Sequence, residues 1–349
     1  MLISEKCRKE VSQLKNTKNR LSFTQIYSIL LVSHIFSFIC FKGQLGAESL
    51  IAVFVAFLIR TAGLIAVYVL YQKGFSLSDF IEKYKLAAAF LYFYIICMVS
   101  VSFIKIRNVA EDIYMPVSSS LLCTFLIIAV CSYTSSLGIR ATGSISLILF
   151  ILSAAVFIII PMTSFENIKL SSVYFSESPD FILKTSAICS SISEPLLLLL
   201  YMPFRKEKTL KYFNFFPFLF LITDILLCVL CISLLHRKSV LFEYPFFAAV
   251  NTAQPFKVQR ADAFYSVIFI FVSIFRITCL TVPSSEILRI FFPKLHLKSI
   301  FTLILSGIFS FVIFKFKVFN SDFIWLVMLG IFILLFIFAS ICKRKKKNI

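Results

Sequence analysis

The chain has 349 residues, 60% of them hydrophobic and only 15% charged, with a mean hydropathy of +0.95 and a formal charge of +18. A water-soluble fold of that composition would expose apolar patches of aggregating size, which a bilayer accepts, so an integral membrane protein is expected. Lys and Arg sit mainly in short runs between apolar segments and at the two ends, a topological signal that excludes a nucleic-acid-binding role.

In chain order, residues 1–20 are polar and basic, without the apolar core of a cleavable signal, and read as a cytoplasmic tail. Apolar runs long enough to cross about 30 Å of hydrocarbon as helix follow at 22–41, 49–71, 86–106, 119–136 and 141–162. Five more lie at 181–202, 214–235, 263–283, 299–317 and 321–341, before a second basic tail at 342–349. Ten transmembrane helices put both termini on one side. That side carries 22 Lys and Arg against 11 opposite, and is expected to be cytoplasmic.

A long connection at about 163–180 separates two sets of five runs, repeat one at 21–162 and repeat two at 181–341. This layout predicts a single all-α permease domain with a 5+5 inverted repeat, LeuT-like, in which helices 1 and 6 are interrupted at a solute site.

Charged and polar groups inside apolar runs are costly and must face partners or a wet cavity. The first run carries Ser33, His34 and Ser37, and the second carries Arg60. The sixth holds Ser190, Ser191, Ser193, Glu194 and Pro195, where clustered hydroxyls and a proline predict a broken or kinked helix with exposed backbone groups. Asp224 lies in the seventh run and Arg276 in the eighth. Ser33, His34, Ser37, Ser190, Ser191, Ser193, Glu194 and Arg276 are the candidate ligand-binding residues. Arg60, Asp224 and Pro195 are expected to be structural or ion-pairing, with Arg60 reaching Asp224 or Glu194.

Nearly all of the ten cysteines stand singly in apolar runs and read as packing residues. Cys228 and Cys231 form a C-x-x-C without a second pair, so no metal or redox cofactor is expected. No Walker loop, H-E-x-x-H or G-x-S-x-G is present, and the chain is not expected to be an enzyme. The one enzyme alternative is a membrane acyltransferase using His34 as base.

Several stretches together resemble the spore germination permeases, the B subunits of nutrient germinant receptors, within the amino acid, polyamine and organocation transporter superfamily. One is Glu194 followed by LLLLLYM, Pro203 and the basic RKEKTLK. Another is Tyr244-Pro245 followed by Arg260, Asp262 and Ala263, with Arg276 where the family usually has lysine. Phe36, Ser37, Phe38 and Ile192 stand where the family usually has glycines or a proline, and Phe269 where it has tryptophan. The resemblance implies a nutrient-sensing subunit of a spore inner membrane. It would bind a small nutrient such as an amino acid and work with a receptor A subunit and a C-subunit lipoprotein. The alternative is a proton-coupled amino acid or amine transporter of a bacterial cell membrane, using Glu194 or His34.

Overall fold

Ser22 begins the first helix by a reciprocal cap. Its hydroxyl accepts from the Gln25 N–H at 3.3 Å while the Gln25 side chain accepts from the Ser22 N–H at 2.9 Å. The helix that follows, α1 (Phe23–Ile39), is apolar on every side and buried along nearly its whole length, as a central span should be. In this computed structural model the described residues are 20–43, 45–46, 48–114, 120–163, 193–206, 210–235, 242–253, 261–293, 295 and 297–316.

The other helices are α2 (Glu48–Gln72), α3 (Leu77–Lys83), α4 (Lys85–Val109) with a π-helical turn at Ala110–Tyr114, α5 (Ser120–Ser136) and α6 (Gly138–Thr163). Then come α7 (Glu194–Tyr201) with a 3₁₀ turn at Met202–Phe204, α8 (Phe216–Leu235), α9 (Pro245–Ala253), α10 (Ala261–Phe291) and α11 (Lys298–Phe316). Among the described residues every element is helical, and the protein is a multi-pass membrane protein. Five helices, α2, α4, α6, α8 and α10, contain stretches long and apolar enough to cross a bilayer. Exposed apolar side chains recur at helical spacing on the outer helices, as in Ile51, Phe54, Leu58 and Ile65 of α2 or Leu219, Ile222 and Leu226 of α8, giving lipid-facing stripes.

Each of the first nine predicted runs holds one of these helices. The tenth run, residues 1–19 and 342–349 of the tails, and residues 164–192, which hold the connection and the first part of the sixth run, lie outside the described residues. Three expectations need correction. The first helix is not interrupted: α1 runs unbroken through Ser33 and His34 because it contains no Gly or Pro and satisfies its own backbone. The short helices α3 and α9 stand where connections were expected. Ser76 caps α3 by accepting from the Asp79 N–H at 3.4 Å, and Pro245 is tolerated because a first-turn N–H has no intrahelical partner.

The third correction is that α10 does not stop at Pro283 but continues to Phe291. Pro283 lacks the N–H that would bond to the Cys279 carbonyl. The Tyr201 hydroxyl of α7 donates to that carbonyl instead, at 2.8 Å. The same device recurs at Pro203, whose missing N–H would bond to the Leu199 carbonyl; there the Tyr71 hydroxyl of α2 donates, also at 2.8 Å. Both prolines are thus accommodated by a tyrosine from a neighbouring helix. Tyr201→Phe would leave the Cys279 carbonyl buried and unpaired at a cost of about 1–3 kcal/mol, measured as a lower melting temperature of the detergent-purified protein.

Helices α6, α7, α8, α9 and α10 pack around α1, and α7 is held among α1, α2 and α10. Gly143 of α6 permits close approach to α1, since a Cβ there would meet the Leu21 side chain at 2.5 Å. This packing brings the sequence-distant Ser33–Ser37, Arg60, Ser193–Pro195, Asp224 and Arg276 regions into one interior.

Candidate functional site

Pro195 does not kink a helix. It sits in the first turn of α7, behind Ser193 at the cap and Glu194 as first residue, where its absent N–H costs nothing. The Glu194 carboxylate therefore lies at the positive end of a helix. It accepts from the Ser193 N–H at 2.9 Å, so the side chain does part of the capping that the Ser193 hydroxyl does not perform.

Around this start lies a buried cluster of charge. His34 is placed between two acids, with Nδ1 3.2 Å from Glu194 Oε1 and Nε2 2.8 Å from Asp224 Oδ1, the second off the line of a good hydrogen bond. Arg60 spans the same two acids, its Nη1 donating to Asp224 Oδ2 at 3.0 Å and its Nε lying 3.5 Å from Glu194 Oε2. Exposure of all four side chains is at most 4%. Phe220 of α8 forms an apolar wall, with the imidazole edge-on at 4.9 Å and the Arg60 guanidinium over its face at 5.3 Å. Arg60 thus reaches both of the acids expected for it. Asp224, 3% exposed, is fully inside the protein.

Arg276 behaves differently. Its Nη1 donates to the hydroxyls of Ser33 and Ser193, and its guanidinium stands 5.8 Å from the centre of the Phe36 ring. Its Nε has no hydrogen-bond partner, and no carboxylate of the described residues lies within ion-pair distance, although Arg276 is only 2% exposed. Arg276 therefore adds a positive charge beside the start of α7 that Ser33 and Ser193 orient but do not neutralise.

Ser37 donates to the Ser33 carbonyl at 3.3 Å and lines a cavity with His34, Phe41, Arg60, Asp224 and Cys228. At about 20 Å³ it has room for one water, and several of its walls are polar. A second, open cavity of about 750 Å³ lies at the other end of α7, bordered by Arg20, Tyr71, Leu200, Met202, Arg205 and Arg289. Leu200, Tyr201 and Met202, each 1% exposed or less, lie between that vestibule and the charged cluster.

The structure thus gathers Ser33, His34, Ser37, Ser193, Glu194, Arg276, Arg60 and Asp224, while Ser190 and Ser191 lie outside the described residues. The sequence reading did not select the aromatic walls Phe36 and Phe220, the latter one helical turn before Asp224. Cys228 and Cys231 are free, buried thiols, and no group of three or more His, Cys, Asp or Glu side chains among the described residues is arranged to hold a metal ion.

No protein-family model matches the chain, and no curated protein matches it in sequence. Among solved structures, the fold is similar to that of Mhp1, a nucleobase-cation-symport-1 family transporter in a closed conformation with bromovinylhydantoin bound. The TM-score is 0.50 at 11% identity, over 89% of this chain and 75% of that one. At that identity the likeness shows the fold alone. The germination-permease motifs remain a resemblance in sequence.

Proposed function

We propose that the protein binds a small solute deep within the membrane, at the start of α7 between α1 and α10, and changes conformation around it. The observation that carries this reading is Arg276, a buried guanidinium whose hydrogen-bond partners among the described residues are serine hydroxyls, next to a helix start whose backbone amides also favour negative charge. A solute with a carboxylate or similar anionic group would supply the missing partner. Glu194, already satisfied by Ser193, His34 and Arg60, fixes the other side of the site and suits a solute that also has a positive or hydrogen-donating group. An amino acid meets both requirements.

Within this class, the resemblance around Glu194, Pro203, Tyr244 and Pro245 supports a permease-like subunit of a spore nutrient germinant receptor, acting with an A subunit and a lipoprotein. The alternative is a transporter acting alone, with His34 and Glu194 carrying a proton; the imidazole flanked by two carboxylates supports it. The acyltransferase alternative loses support from the same contacts, since both ring nitrogens face acids and neither is presented to a substrate.

The test screens purified protein against amino acids, small amines and nucleobases by thermal shift and isotope binding. At least one compound is expected to raise the melting temperature of wild type and to lose that effect with Glu194→Gln. Failure of every compound, or equal binding by the variant, would remove the reading. Accumulation in proteoliposomes under a pH gradient would favour the autonomous transporter. Binding without uptake, with recovery in a complex from spores, would favour the receptor.

A further inference from the structure

Where α1, α4 and α8 end, away from the vestibule, a second group of charges joins three segments. Lys42, three residues beyond α1, reaches Asp112 at 3.1 Å and Glu243 at 2.9 Å. Asp112 belongs to the π-helical turn that ends α4, a distortion that often marks working parts of membrane helices. The Tyr244 hydroxyl donates to the same Asp112 oxygen at 2.9 Å, and the Lys42 ammonium lies 5.3 Å from the Tyr244 ring centre. One backbone bond, Gly43 N–H to the Glu243 carbonyl at 2.8 Å, completes the junction. Among the described residues, Lys42 is the cation that contacts both acids.

Directly beneath lies the one-water cavity. Its walls run from His34, Arg60 and Asp224 out to Phe41 and Leu45, which flank Lys42 in sequence and are 7% and 1% exposed. The polar interior is thus separated from this end of the protein by Phe38, Phe41 and Leu45, with the Lys42 junction over them. We propose that the Lys42 junction is a latch whose release opens this end of the bundle to the buried cluster around His34, Glu194 and Asp224. It goes beyond the proposed solute site by naming the route to it, and its test needs no solute.

Three features fit a latch better than a permanent brace. The side chains of Lys42, Asp112 and Glu243 are 47%, 43% and 68% exposed, and pairs this exposed hold weakly and are screened by salt. The junction draws on three separate segments, so its release frees all three at once. The group it covers is polar and already has room for water. Partial burial works to lower the Lys42 pKa, but hydrogen bonds to Glu243 and Asp112 override it and raise the value. With Asp112, Glu243 and Tyr244 as the facing groups, the ammonium stays charged through neutral pH. Its contribution is lost only as pH climbs past that raised value.

The native thiol of Cys228, on the cavity wall, reports the opening. Purified full-length protein is treated with aminoethyl methanethiosulfonate, and each cysteine is mapped by mass spectrometry. Lys42→Met is expected to speed Cys228 labelling by about tenfold or more, as a shift toward an open state would. Lys42→Arg should stay near the wild-type rate. Cys131, buried between α5 and α10, should not change in either variant. About 1 M salt, where screening acts within about 3 Å, should speed Cys228 labelling in wild type. Equal labelling of Cys228 in Lys42→Met and wild type, or a parallel rise at Cys131, would overturn the latch. So would Lys42→Arg labelling as fast as Lys42→Met. If Lys42→Met does not fold, the salt experiment decides, and an unchanged rate overturns the proposal.

Discussion

Arg60→Met should lower the stability of the purified protein by about 3–5 kcal/mol, the usual cost of removing one partner from a buried charge network. Glu194 and Asp224 would then share a nearly waterless interior with only His34 between them. Arg276 stands beyond ion-pair distance of both acids, and the single imidazole in contact with them cannot replace the Arg60 bonds, so one carboxylate must take up a proton or the cluster must open to water. The expected readout is a large fall in melting temperature. The control is Arg60→Met combined with Asp224→Asn, which removes one charge of each sign and should recover much of the loss. If the double variant is no more stable than Arg60→Met alone, the damage comes from lost packing against Phe220 and not from charge.

Arg276→Met should behave in the opposite way. Arg276 has hydroxyl partners and no acid partner among the described residues, so its removal takes away a buried charge without leaving another exposed to an apolar interior. The melting temperature should change little or rise. Affinity for whichever solute stabilises wild type should fall by about thirtyfold or more, the scale of truncating one member of a buried, hydrogen-bonded charge pair. Two arginines of equal burial therefore give a stability defect at one position and a binding defect at the other. Equal losses of stability would show that Arg276 is a structural cation like Arg60, and the solute site would have to be sought elsewhere.

Much of this is legible in the sequence. An apolar run of about 20 residues is a strong signal, and the nine described runs all hold helices. His34, Arg60, Glu194, Asp224 and Arg276 stand out in sequence because a charge inside such a run is expensive, and the fold brings all five into one interior. What could not be read was the pairing. Whether Arg60 or Arg276 meets Glu194 depends on how α2 and α10 pack against α7, and residues 134 and 82 positions away in sequence carry no mark of that.

The errors have local causes. The apolar run ends at Pro283, but the helix continues to Phe291, because the hydroxyl of Tyr201 from another helix meets the carbonyl that the proline leaves unpaired. Ser193, Glu194 and Pro195 together signal a helix start as well as a break, and the start is what the described residues form. Lys42, Asp112 and Glu243 carry no signal in the sequence, because charges in connections are ordinary there. Only their distances make them a junction.

The helix α7 is eight residues long, about 12 Å at 1.5 Å per residue. One end is gripped by charge at Glu194, and the other is tied by the hydroxyl bonds of Tyr71 to Leu199 and Tyr201 to Cys279 and, just beyond it, by two 2.7 Å backbone bonds that join Leu21 to Phe204 and Lys206. Such a rod is fastened at both ends and is too short to bend between them. A tilt imposed at Glu194 cannot be absorbed within so few turns, so it arrives at Leu200 and Met202, on the wall of the vestibule. The two tyrosine bonds that let the chain tolerate Pro203 and Pro283 therefore also fix where that end of the rod lies against α2 and α10.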